Sequence, residues 1–99
     1  MPDTRLTDPL KRKIVLHDFT WFGHIVKGHP EMKGRRALVE MAVCRPKEVW
    51  ISCSDPDCRL YFGKGPRVGL LTLVVVDVVR GFVKTAHLAR KVSGRTREW

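Results

Sequence analysis

From Gly69 to Val79 the chain reads Gly-Leu-Leu-Thr-Leu-Val-Val-Val-Asp-Val-Val. A run this dense in Leu and Val, broken only by Thr72 and Asp77, predicts a β-strand buried on both faces. It is also far short of the ~20 apolar residues that cross a bilayer. The fold must therefore supply strands beside this segment and cover for it, and the flanking sequence offers both.

Before it, Glu48 to Cys53 alternates, with Val49, Ile51 and Cys53 on one face and Trp50 and Ser52 on the other. Trp50 is expected to pack beside the helices. Cys58 to Phe62 alternates again, with Cys58, Leu60 and Phe62 opposite Arg59 and Tyr61. Ser54-Asp55-Pro56-Asp57 and Gly63-Lys64-Gly65-Pro66 are turn signals. Arg80-Gly81 turns the chain into a last strand, Phe82 to Leu88. Lys13 to Leu16 is a short apolar run, either a first strand or a lead-in.

Upstream of Pro46 the period is helical. Asp18 or Thr20 caps a short helix carrying Trp21, Phe22, Ile25 and Val26. It must stop by His29, because Pro30 drives the residue before it out of the helical region. A second helix runs from about Lys33 to Cys44 with Ala37, Leu38, Met41 and Ala42 as its apolar stripe. The expected architecture is α+β: two N-terminal helices packed on one face of a three- to four-stranded antiparallel sheet. Residues 1–12 read as a polar N-terminal arm and residues 13–99 as one domain, the only one a 99-residue chain has room for.

Nineteen Lys and Arg against ten Asp and Glu give a net charge of +9. That balance favours a polyanionic partner, since every phosphate neutralised releases condensed counterions. The N-terminus lacks the apolar run of a signal peptide, so a cytoplasmic protein without a membrane partner is expected. Cys44, Cys53 and Cys58 are an odd number of thiols, which argues against a closed disulfide framework. Cys53 and Cys58 have no second pair of ligands at zinc-finger spacing, so neither metal nor cofactor is expected.

RNA can be cut without a metal by a base that helps the 2′-hydroxyl attack the adjacent phosphorus, an acid that protonates the leaving oxygen, and cations that hold the developing charge. Histidine suits both proton transfers, with an ordinary pKa near ~6.5. The densest group of such residues is the segment 21–31, which holds His24, Lys27, His29 and Glu31. On the sheet, Arg59 and Tyr61 share one face and Thr85 and His87 share another. If those faces coincide, Arg59 stabilises the phosphate while Tyr61 or His87 stacks on or protonates the substrate. The surface cations Lys27, Arg35, Arg36, Lys64, Arg67, Lys84, Arg90 and Lys91 are candidates for contact with a nucleic-acid backbone. Trp50 and Trp99 are aromatics able to stack on unpaired bases.

The order of motifs resembles that of phage- and toxin-associated nucleases in the barnase–EndoU–colicin–RelE superfamily. The residues that carry the resemblance are Trp21, His24-Ile25, His29-Pro30-Glu31, Pro46, Val49, Arg59-x-Tyr61, Val74-Val75-Val76, Thr85-Ala86 and the terminal Trp99. They span about residues 13 to 99. The resemblance implies that superfamily's fold for residues 13–99, an endoribonuclease that acts as a toxin on cellular RNA, and a possible inhibitor protein as partner. It implies an active site of His24, His29, Arg59, Tyr61 and Thr85. His87 departs from it, standing where a tyrosine is expected. The alternative reading is a non-catalytic nucleic-acid-binding or protein-interaction module on the same fold.

Overall fold

The computed structural model describes residues 3–99. Its strands are β1 (Thr4–Thr7), β2 (Lys13–Leu16), β3 (Glu48–Ile51), β4 (Cys58–Lys64), β5 (Leu71–Asp77), β6 (Phe82–Ala89) and β7 (Thr96–Arg97). Between β2 and β3 lies α1, residues 18–28, which is α-helical at Asp18–Thr20, π-helical at Trp21–Ile25 and α-helical again at Val26–Gly28. A 3₁₀ turn at Pro30–Met32 and helix α2 (Arg36–Cys44) follow.

The strands form one sheet in the order β1-β2-β6-β5-β4-β3-β7. The meander from β3 to β6 is the antiparallel set that the alternation predicts, with β5 inside it: Tyr61 faces Val74, and Val74 faces Ala86. The expectation of two helices on a three- to four-stranded, purely antiparallel sheet is corrected to a seven-stranded mixed sheet with short helices on one face.

The additional strands have physical reasons for being missed. In the supposed arm, β1 pairs along its length with β2, but it buries only Leu6. Strand β7 has both residues exposed and is held to β3 by backbone hydrogen bonds, so it leaves no apolar signature. Strand β2 joins β6 in parallel at Val15 and Phe82, through a bond from Val15 N to Gly81 O of 2.9 Å. Gly81, at φ +81°, is needed here, because a Cβ would lie 2.9 Å from Lys13 O.

The core lies between the helices and one face of the sheet. Val49, Tyr61, Val74, Val76 and Ala86 enter it from the strands, and Trp21, Ile25, Met32, Val39 and Val43 from the helical layer. The stripe of α2 is rotated from the expected one: Val39, Ala42 and Val43 are buried, while Ala37 and Met41 face solvent. Gly63 on β4 lets α2 approach closely, since a Cβ there would sit 2.6 Å from both Cα and Cβ of Ala42. Trp50 follows the inward Val49 and so occupies the sheet's other face, not the helix side as expected. Gly94 lies against it, with no room for a Cβ, and its Nε1 donates to Glu48 Oε1 at 3.0 Å. Trp99 returns to the sheet through two backbone hydrogen bonds with Val49. No helix among the described residues is long and apolar enough to cross a membrane.

Candidate active site

Beyond its single pairing with β2 at Phe82, the outer edge of β6 is flanked by α1 and the 3₁₀ turn. All four histidines of the chain lie along this seam or at its entrance: His17 before α1, His24 in the π turn, His29 just past α1, and His87 on β6. The π turn is closed by a bond from Val26 N–H to Trp21 O. It buries Trp21 and Ile25 in the core and leaves His24 exposed.

Two stations can be distinguished on the seam. At the first, an open pocket of about 700 Å³ is lined by His17, Phe19, Thr20, Gly23, His24, Phe82, Val83 and Lys84. At the second, the rings of His29 and His87 lie 5.1 Å apart between centroids, tilted by 30°. Glu31 Oε2 is 3.7 Å from His29 Nδ1, placed to pair with that ring when it carries its proton. His87 Nδ1 is 3.1 Å from Leu88 O. A carbonyl only accepts, so this contact puts a hydrogen on Nδ1 and leaves Nε2 with the lone pair. Both rings are partly open to solvent.

Arg59 and Tyr61 are not part of this seam. Tyr61 faces Val74, whereas Thr85 and His87 face Val75 and Leu73, so the two pairs lie on opposite faces of the sheet. Tyr61 is fully buried, and its hydroxyl donates to Asp8 Oδ2 at 2.5 Å. Asp8 also accepts from Arg12 Nε at 2.7 Å and from Arg12 N at 2.8 Å. Arg12 Nη2 reaches both the Tyr61 hydroxyl, at 3.1 Å, and Glu98 Oε1, at 2.7 Å. Arg59 Nε donates to the other oxygen of Glu98 at 2.8 Å. Burial pushes the Asp8 and Glu98 carboxyls up, but their hydrogen bonds outweigh it and hold both below the ordinary carboxylate range. For Tyr61, burial and then the bond to Asp8 raise the phenol above its usual value. The network is structural, a polar clasp that joins the β1–β2 turn, β4 and the residues after β7.

The remaining candidates divide. The Thr85 hydroxyl is buried without a partner among the described residues and is closed to substrate. Arg36 is pinned by Asp18 at 3.0 Å and Glu40 at 3.6 Å over the Trp21 ring, so it is not a surface cation. Arg35 donates to Glu31 O. Lys27, Lys84, Arg90 and Lys91 are exposed on α1, on β6 and just past β6, while Lys64 at the end of β4 and Arg67 in the β4–β5 connection sit apart. The three cysteines are free thiols, and no group of three or more His, Cys, Asp or Glu among the described residues is placed to hold a metal ion.

Sequence reasoning missed Asp8, Arg12 and Glu98, whose long-range bonds, to Tyr61, to Arg59 and between Arg12 and Glu98, join positions 39 to 86 residues apart. It also missed His17 and Phe19, which precede the segment 21–31 and were legible only as a stacked pair once folded, with centroids 5.3 Å apart. Comparison with protein-family models, curated proteins and solved structures finds no match for this chain.

Proposed function

We propose that the chain is a metal-independent endoribonuclease whose acid and base are His29 and His87. The observation that carries the reading is their imidazole pair, set open to solvent on a chain of net charge +9. His87 Nε2 takes the proton of the 2′-hydroxyl as its oxygen bonds to the adjacent phosphorus. The P–O5′ bond breaks, and His29, paired with Glu31, gives its proton to the departing oxygen. The products are a 2′,3′-cyclic phosphate and a free 5′-hydroxyl, with one proton taken up and one released. Lys84 and Lys27 supply positive charge along the strand's path. Arg59, Tyr61 and Thr85 have no part in the chemistry. The motif resemblance to toxin-associated nucleases points the same way for His29. A cytoplasmic place of action goes with this substrate.

The test is incubation with total cellular RNA in EDTA. The parent is expected to cut it, and His29→Ala and His87→Ala are each expected to lose about 10²–10⁴-fold in rate. Full activity in both variants refutes the assignment. A second reading, a non-catalytic nucleic-acid binder, is favoured by the exposed cations along the same seam. It predicts RNA affinity that falls steeply with salt, survives both substitutions and is accompanied by no cleavage.

A further inference from the structure

The pocket at the first station of the seam is not used by the proton transfers. We infer that it is a subsite for one unpaired nucleobase of a single-stranded RNA, an inference that rests on the nuclease reading. Its walls are flat and aromatic. The ring of Phe19, 75% exposed, is already stacked on His17 at 22°, and the Phe82 ring lies 6.5 Å from that of His17, tilted by 47°. An exposed phenylalanine ring stacked beside a pocket offers a flat apolar face that a second planar ring can cover. Lys84 and His24 also line it, and the exposed pair of Lys84 with Asp55, at 3.8 Å, is weak enough for a phosphate to displace.

A base in a duplex is already stacked and paired, so this site selects an unpaired strand. An apolar peptide side chain would use the walls but not the cations. From Lys84 to His87 the rise of β6 covers about 10 Å, so one strand can seat a base in the pocket and present a neighbouring phosphodiester to His29 and His87. Gly23 keeps the floor open: a Cβ added there meets nothing within 4 Å. A larger side chain at Gly23 therefore occupies the pocket without disturbing the core.

The experiment uses a short 2′-O-methyl RNA carrying one 2-aminopurine, which 2′-hydroxyl attack cannot cleave. Its fluorescence is expected to quench on binding the parent protein. Phe19→Ala and Gly23→Leu, neither of which touches a buried contact, are each expected to weaken binding roughly tenfold or more. Removing the base at the probe position is expected to weaken binding to the parent by a similar factor and to cost Phe19→Ala nothing further, since both changes delete one contact. Absence of quenching, or equal affinity for the abasic and base-bearing strands, overturns the subsite. Equal affinity for a duplex of the same length overturns it as well. Because this strand is uncleavable, a failure to cut cellular RNA refutes the nuclease while leaving a positive stacking result in support of the pocket.

Discussion

Tyr61→Phe separates a buried clasp from a catalytic phenol. The substitution keeps the ring, so it opens no cavity; it removes the bond to the ionised Asp8, a class that contributes ~1.5–3 kcal/mol, and the longer one that the hydroxyl accepts from Arg12 Nη2 at 3.1 Å. Asp8 is not orphaned, because Arg12 Nε and Arg12 N still reach it at 2.7 and 2.8 Å. Arg12 in turn keeps Glu98 at 2.7 Å. A loss of about 2 kcal/mol follows, which in a chain of this size lowers Tm by roughly 8–16 °C.

The pH dependence carries a further signature. The folded-state pKa of Asp8 lies below its ordinary 3.8, so the carboxylate's contribution is complete above that value and disappears as pH falls through the folded one. The gap between parent and Tyr61→Phe should therefore be constant through neutral pH and narrow below pH 3.8. At the alkaline end the sign reverses. The folded-state pKa of Tyr61 is raised above 10.0, so the parent loses stability as pH rises past that value and the variant does not. Tyr61 is the chain's only tyrosine, so tyrosinate absorbance reports it directly and should appear together with unfolding. Urea unfolding across pH, with RNA cleavage assayed at neutral pH between the two transitions, gives the measurement. Unchanged stability combined with lost cleavage would refute the clasp and return Tyr61 to the active site.

Two other perturbations probe how the sheet is held together. Glu98→Gln leaves Arg12 and Arg59, both largely buried, without their shared counter-charge, and should cost about 2–3 kcal/mol by urea unfolding, less than a fully buried pair because Glu98 is 20% exposed. Its acid sensitivity should also be milder than the parent's, since the depressed Glu98 pKa contributes stability only above its ordinary 4.5. Gly63→Ala drives a methyl to 2.6 Å from the backbone of Ala42 and should cost roughly 1–3 kcal/mol or more. Ala42→Gly in the same background should recover part of that loss; if it recovers none, the contact between β4 and α2 is not what limits the site.

The sequence by itself determined whatever depends on neighbours in the chain. The alternation from Glu48 to Phe62 and the Leu-Val run to Val79 specify the β3-to-β6 meander, because side chains two apart share a face. Pro30 and Pro46 mark where the first and second helices end, because they remove donors and restrict the residue before them. The histidines of the segment 21–31 were visible as candidates for the same reason. Only the tertiary structure decided which partners those elements meet. It set Tyr61 and His87 on opposite faces, turning an expected site into a clasp and a separate seam, because a strand's two faces diverge although its residues are adjacent. It brought His87 to His29 across 58 positions of sequence, and it paired β2 with β6 and β7 with β3 through backbone groups. Backbone pairing carries no side-chain signature, and contacts between distant segments leave none in local periodicity; they exist only once the chain has closed.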